Sequence, residues 1–227
     1  MLESLMTQFT PQVISMIIDN FGVSIYMVFM ATLFSYLFGL PLGVILVVTA
    51  PDGLHPMPKF NAVLGVIVNL LRSIPFLILL FLIMPMTQFI TGSSFGANAT
   101  IVPLIVSASP FVARMVETSF KEIDFGVIEA AQSMGASNWQ IITKVILPES
   151  KPSLLLGAAL SATTILGYSA MAGVVGGGGL GDTAIRYGYY RYQKNIMYVC
   201  VILLVIITQM IQEAGLRIAS KTDKRLH

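Results

Sequence analysis

Ser169 is the residue whose context most resembles that of a catalytic nucleophile. It lies in Gly167-Tyr168-Ser169-Ala170, and an intramembrane serine protease also carries its nucleophile in a Gly-x-Ser context. Such a serine needs a general base on another helix at the same membrane depth. His55 lies among turn-forming residues, His227 is the last residue, and the apolar segments contain no pair of carboxylates. We therefore predict that the chain is not an enzyme, and keep a membrane enzyme or stand-alone channel as a remote alternative.

Nucleotide and metal chemistry also lack their usual residues. The sequence contains no Gly-Lys dipeptide and hence no phosphate-binding loop of the G-x-x-x-x-G-K type. Gly176, Gly178 and Gly181 match G-x-G-x-x-G, but they follow an apolar run rather than a strand, so we predict a flexible turn where backbones approach closely. One cysteine and two histidines leave no ligand set for a metal. We expect this chain to bind no cofactor.

The composition is that of a membrane protein. Charged residues make up 11% of the chain, against roughly 25% in a typical soluble protein. Hydrophobic residues make up 56%, and the mean hydropathy is +0.82. The net charge of +2 is small and not clustered on a basic face, which argues against a nucleic-acid partner. We expect the chain to lie in a lipid bilayer.

Five segments are long and apolar enough to cross a bilayer as helices. The sequence thus predicts an all-α integral membrane protein with a single domain over residues 1–227. The segment from Gly39 to Gly43 indicates a kink or a close helix contact, and Pro75 interrupts the second span. The predicted spans are about 21–49, 60–86, 97–120, 153–175 and 196–216.

Between the third and fourth spans, residues 124–148 have the pattern of two short helices joined by a tight turn. Asp124 can cap the first helix, and Gly135 supplies the turn. Apolar positions at helical spacing place one face of the first helix at Val127, Ala130, Ala131 and Met134.

The second short helix carries its own start and stop signals. Ser137 and Gln140 form a capping box, and Pro148 is expected to end the helix. Its predicted buried face consists of Ile141, Ile142, Val145 and Ile146.

The distribution of positive charge predicts the orientation. Ten of the 13 Lys and Arg residues lie on the side of the helical hairpin, which places the N-terminus outside and the C-terminus in the cytoplasm. The ten are Lys59, Arg72, Arg114, Lys121, Lys144, Lys151, Arg217, Lys221, Lys224 and Arg225. Two of them, Arg114 and Lys121, can pair with Glu117 at a solvated helix end. Arg186, Arg191 and Lys194 remain outside beside several tyrosines and would suit an acidic partner.

The hairpin carries a resemblance to a known family. It resembles the coupling loop of ABC importer permeases. The shared pattern is Glu-Ala-Ala, three residues, Gly, nine residues, an apolar residue, any residue and Leu-Pro. That resemblance implies the type I importer permease fold and docking of the loop on a separate ATPase subunit. The alternative is a hairpin that packs only on its own domain. The residues implied in docking are Glu129, Ala130, Ala131, Gly135, Ala136, Leu147 and Pro148.

Two further segments narrow the resemblance. The segment Arg72 to Phe76 is similar to the amino-acid-importing permeases, and Leu166 to Gly173 with Gly179-Leu180-Gly181 looks like the methionine-importer permeases. Candidates for the translocation path are Tyr168, Ser169, Met171 and Arg72. For each of the first three taken singly, helix packing is favoured over substrate contact, and Arg72 could instead extend to the lipid headgroups.

The resemblance also implies an assembly. It implies a permease homodimer in the bacterial inner membrane that carries two cytoplasmic ABC ATPase subunits. ATP and Mg²⁺ would be used by those subunits and not by this chain. An external substrate-binding protein would deliver methionine, with another amino acid or a small oligopeptide as the alternative substrate.

Overall fold

The computed structural model describes residues 9–223, and these residues are mostly helical, with no β-strand among them. Lys224, Arg225 and His227, which entered the analysis of the sequence, lie outside the described residues. The described chain contains four helices that are long and apolar enough to cross a membrane, and five spans if one broken helix pair counts as a span. This agrees with the predicted all-α membrane fold.

The long helices fall on the predicted spans, with two differences in their bounds. Helix α1 (Pro11–Val48) begins about ten residues earlier than the uncharged segment, because a helix continues through Asp19 beyond the apolar part. The second span is broken into α2 (Pro58–Ser73), α3 (Phe76–Leu82) and α4 (Met84–Thr91). Pro75 lies at the first break, as its lack of a backbone N–H predicts.

The remaining helices follow in chain order. The third span is α5 (Ala97–Lys121), and the short helices α6 (Phe125–Ser133) and α7 (Asn138–Ile141) begin the hairpin. A π-helical segment (Ile142–Ile146) and α8 (Leu147–Glu149) complete it. The chain ends in α9 (Lys151–Ala172), a 3₁₀ turn (Gly173–Val175), α10 (Gly179–Thr183), a second π-helical segment (Ala184–Tyr190) and α11 (Lys194–Thr222).

The chain forms two compact units. The first comprises Met1–Leu33, Ile74–Ser107 and Ala162–Ile211. The second comprises Phe34–Ser73, Ala108–Ser161 and Gln212–His227, and it contains the hairpin.

In the second unit, two glycines of α1 allow a close helix contact. A Cβ atom on Gly39 would lie 2.7 Å from Val112 Cβ, and one on Gly43 would lie 2.5 Å from Val116 Cβ. Both distances are far below van der Waals contact, so only glycine permits this approach of α1 to α5. The close contact that the segment from Gly39 to Gly43 predicts is confirmed.

Adding one methyl group tests that contact. We expect Gly43→Ala to lower stability by roughly 1–3 kcal/mol, because the methyl group must displace Val116 or the Ala113 carbonyl. Gly22→Ala is the matched control, since a Cβ atom there meets nothing within 4 Å. Thermal unfolding in one detergent compares the two variants. Equal midpoints for Gly43→Ala and the parent chain would contradict the close packing.

Candidate functional site

The first helix of the hairpin is capped and turned as its sequence predicts. The Gly126 N–H donates to Asp124 Oδ1 at 2.7 Å, which satisfies one of the free donors at the start of α6. After the helix, Gly135 has φ of +78°, in the left-handed region that favours glycine. The Gly135 and Ala136 N–H groups donate to the carbonyls of Gln132 and Ala131.

The capping box of the second helix is also confirmed. The Ser137 N–H donates to Gln140 Oε1 at 2.9 Å, and the Gln140 N–H donates to Ser137 Oγ at 3.4 Å. The neighbouring Asn138 side chain donates to the Leu54 carbonyl at 3.2 Å. This bond ties the start of α7 to the turn that follows α1.

The expectation that Pro148 ends the second helix is wrong. The helical backbone continues through α8, and the Ser150 N–H donates to the Ile146 carbonyl at 2.9 Å. The preceding segment, Ile142–Ile146, is π-helical. The Leu147 N–H donates to the Ile142 carbonyl, five residues before it, so the helix is already widened where the proline enters it.

Most of the apolar face of α6 is exposed rather than packed against the rest of the chain. Of its four apolar positions only Ala131 is buried, at 4% exposure. Val127, Ala130 and Met134 are exposed, the last at 82%. These three residues, spaced i, i+3 and i+7, form what we name the exposed stripe. An apolar stripe left open on a polar loop is typical of an interaction surface.

Glu129 and Gly135 are exposed beside the stripe, whereas Ala136 and Leu147 are half-buried and Pro148 is exposed. The candidate docking residues thus differ in access: some can touch another protein, and others hold the hairpin in place. Trp139, the single tryptophan of the chain, is 72% exposed at the start of the second helix.

A hydrophobic cluster anchors the hairpin within its unit. Ala131, Ile141 and Ile146 contribute from the hairpin and are nearly inaccessible. Ile142 is also buried and Val145 packs at the margin, so the predicted buried face of the second helix is confirmed. From α5 and the residues after it, the cluster contains Val112, Val116, Phe120 and Ile123.

The charged group at the end of α5 is less solvated than predicted. Glu117 accepts from Arg114 Nη1 at 2.5 Å and from Lys121 Nζ at 2.8 Å, as the spacing predicts. Its side chain is however only 14% exposed, and Arg114 Nη2 also donates to the Gly65 carbonyl at 2.9 Å. The trio therefore joins α5 to α2 rather than marking a solvated helix end.

The candidate path residues of the first unit have separate environments. The Tyr168 ring stacks on Phe76 with 4.8 Å between centroids and an interplanar angle of 3°. Ser169 is buried, and its hydroxyl donates to the Leu166 carbonyl at 2.8 Å, so it serves its own helix. Met171 is 49% exposed.

Arg72 belongs to the second unit and is exposed. Its guanidinium lies 5.8 Å from the centroid of the Phe111 ring, a cation–π distance. Both the path interpretation and extension towards the headgroups stay compatible with this position.

The backbone of the glycine run is hydrogen-bonded to other parts of the first unit, while its flexibility stays a prediction. The Gly179 N–H donates to Asn20 Oδ1 at 3.0 Å, and the Leu180 N–H donates to Ser24 Oγ at 2.8 Å. The Gly96 N–H donates to the Gly176 carbonyl at 3.1 Å. The predicted close approach is present, since a Cβ atom on Gly181 would collide with the Ala170 backbone.

Asn20 and Ser24 are functional residues that the sequence motifs did not predict. They lie four residues apart and hence on one face of α1. Two polar residues at helical spacing within an apolar segment are the sequence feature that could have predicted them.

The tyrosine-rich segment carries fewer free cations than predicted. Arg186 makes a two-point ion pair with Asp182 four residues before it. The hydrogen bond to Asp182 raises the pKa of Arg186 above its ordinary value. The Arg191 guanidinium lies 4.5 Å from the centroid of the Tyr187 ring, while Tyr189 and Tyr190 are exposed.

Comparison with known proteins identifies a family. Residues 39–214 match the model of the family described as "Binding-protein-dependent transport system inner membrane component". The chain is 48% identical over 202 residues to the probable D-methionine transport system permease protein MetI of Vibrio cholerae, covering 89% of this chain and 90% of that one. It is 41% identical over 181 residues to the methionine import system permease protein MetP of Bacillus subtilis, covering 80% and 82%.

Solved structures agree with these relatives. A chain of the MetNI methionine ABC transporter, described in inward-facing conformations, has a TM-score of 0.94 and 42% identity, covering 95% of this chain and 100% of that chain. A chain of an amino acid ABC transporter solved with histidines has a TM-score of 0.73 at 21% identity, with coverage of 95% and 96%, and shows the shared fold alone. The family and fold that the motifs predict are confirmed.

Removing the capping box should loosen the second helix of the hairpin. We expect Ser137→Ala to cost about 1 kcal/mol, because the Gln140 N–H loses its acceptor. Hydrogen exchange at Gln140 and Ile141, whose N–H groups both bond to Ser137, should accelerate about fivefold or more. Ser133→Ala, which removes only a bond to the Glu129 carbonyl within a helix, is the control. Unchanged exchange in Ser137→Ala would contradict the role of the cap.

Proposed function

Because the chain belongs to the family of binding-protein-dependent transport system inner membrane components, we propose that it is the permease subunit of an ATP-driven ABC importer for methionine. Two copies form the translocation pathway as a homodimer, and each carries a cytoplasmic ABC ATPase subunit. An external binding protein delivers the substrate. The N-terminus lies outside and the C-terminus in the cytoplasm.

The hairpin is the observation that carries the proposal. Its exposed stripe is open to a partner, whereas Ala131, on the adjoining part of the same helix, enters the hydrophobic cluster with α5. A partner that holds the stripe therefore pulls on α5 through a packed interior, which is dense and transmits displacement. The 82% exposure of Met134, in line with Val127 and Ala130 on the same face, favours docking on a partner over packing on the same domain alone.

ATP is used by the partner subunit. Binding of ATP and Mg²⁺ draws the two ATPase subunits together, and the hairpins bound to them move as rigid bodies. This motion changes the access of the pathway from the cytoplasm to the outside. The populations of the cytoplasm-open and outside-open states change according to the difference between the free energies with which ATP binds to the two states.

Methionine is supported by the relatives from Vibrio cholerae and Bacillus subtilis, whose names assign them that substrate. Tyr168, stacked on Phe76, and the half-exposed Met171 offer an aromatic face and a thioether for an apolar, sulfur-containing side chain. Ser169 contributes to helix packing, and Arg72, in the second unit, is a separate candidate for the path.

A charge at the hairpin turn should uncouple the transporter. We expect Gly135→Asp to abolish ATPase docking and ATP-driven uptake while membrane insertion is retained, because it adds a side chain and a charge at an exposed turn. Gly92→Asp is the matched control: Gly92 has φ of +75° and the same open surroundings, but lies in the loop after α4. Full uptake by Gly135→Asp, or equal loss in both variants, would contradict the docking role.

Uptake of labelled methionine tests the whole proposal. Cells that lack this gene and any other methionine importer should lose an ATP-dependent component that unlabelled methionine competes and other amino acids do not. Restoring the gene should restore it. Unchanged methionine uptake would discard the substrate, and transport by this chain without an ATPase subunit would discard the ABC importer class.

A further inference from the structure

We propose that a small amino acid with an apolar side chain binds in a cavity behind the first helix of the hairpin. The cavity has a volume of about 270 Å³. It lies within the second unit, between the turn that follows α1 and helix α6. Its effect on transport rests on the function proposed above, whereas binding itself does not.

The wall of the cavity is mostly apolar. Phe120, Ile123 and Ile146 are almost fully buried beneath it, and they belong to the cluster that anchors the hairpin. Val47, Ala50 and Leu54 close it from the other side. Binding pockets for small molecules have this character, with a few polar groups that fix orientation.

The polar groups of this cavity carry opposite charges. Asp52 and Lys121 both line it, together with the Gln132 amide. Asp52 is exposed and makes no ion pair with another described residue, so its carboxylate is available to a ligand ammonium group. Lys121 pairs with Glu117 at 2.8 Å but keeps a half-exposed side chain with further N–H donors for a ligand carboxylate.

These features select a zwitterion with a small apolar body. An ammonium group suits Asp52, a carboxylate suits Lys121, and an uncharged side chain suits the apolar wall. A charged side chain would lose its hydration against that wall without a partner. The volume lies just below the about 300 Å³ at which pockets for drug-sized ligands begin, so the ligand is small.

A ligand in this position would act on the hairpin. Phe125, Ile128 and Gln132 of α6 form part of the wall, and Gly53 and Leu54 form another part. A bound molecule would join the two, adding contacts that depend on where the hairpin lies. It would thereby favour one hairpin position over others, in proportion to its difference in affinity for them.

Ligand binding to the full-length chain in detergent tests the site. The probes are L-methionine and L-leucine, with methionine methyl ester and N-acetylmethionine as analogues that lack one charge each. Titration calorimetry measures affinity, and the single tryptophan, Trp139, reports binding by fluorescence because its neighbour Asn138 bonds to Leu54. Both amino acids should bind, and each analogue should bind about tenfold more weakly or worse.

Variants assign binding to the cavity. Asp52→Asn should weaken binding of L-methionine about tenfold, and Ala50→Leu should fill the cavity and abolish binding. Asp19→Asn and Lys144→Gln are controls, because both residues are exposed and neither lines the cavity. Asp52→Asn tests the site even if Ala50→Leu fails to fold.

The outcomes separate this site from the transport function. No binding of either amino acid at 10 mM, on the order of the weakest affinity of interest, would overturn the site. An unchanged affinity of the Asp52→Asn variant for L-methionine would also overturn the site, because the amino acid would then bind elsewhere on the chain. If either result is found while methionine uptake is intact, only the cavity proposal is contradicted and the importer proposal is not. If uptake loses its selectivity for methionine while binding to the cavity is intact, only the importer proposal is contradicted.

Discussion

The contact between the hairpin and α5 is the interaction on which the rest of the molecule's work depends. Ala131 and Ile141 of the hairpin are almost inaccessible beside Val116 and Phe120. Burial of such side chains stabilises by roughly 1.5–3 kcal/mol each for the larger ones. A polar segment between two membrane spans would otherwise be free to move by itself. The cluster makes it part of the transmembrane unit, so that force applied to the segment reaches the helices.

Around that contact, glycine and polar residues have separate tasks. Gly39 and Gly43 bring α1 against Val112 and Val116 of α5, two members of the cluster. In the first unit, Asn20 and Ser24 accept hydrogen bonds from the backbone of the glycine run. Irregular backbone at membrane depth needs such partners, because lipid offers none. Asn20 and Ser24 of α1 thus satisfy backbone groups of the glycine run.

Much of the fold and of the hairpin follows from the sequence, for a physical reason. Caps and turns such as Asp124 and Gly135 depend on groups within about four residues, and spans depend on the apolar length of a segment. What the sequence does not reveal depends on distant residues. A π-helical turn precedes Pro148 in the continuing helix, and Arg114, which pairs with Glu117, also donates to the Gly65 carbonyl of another helix. The exposure of Met134 likewise depends on which distant residues pack near it in the fold, and helical periodicity in the sequence does not predict this.

The local character of the hairpin bears on how the protein is made. Its caps, its turn and nearly all members of its cluster come from residues before Pro148, and α9 and α11 are synthesised only afterwards. Contacts between residues close in sequence form early, at little cost in chain entropy. The exposed stripe can therefore be complete on the ribosome before the last two spans have entered the membrane. If the stripe docks on a partner as proposed, the order of synthesis is also an order of assembly, since docking needs no residue of the last two spans.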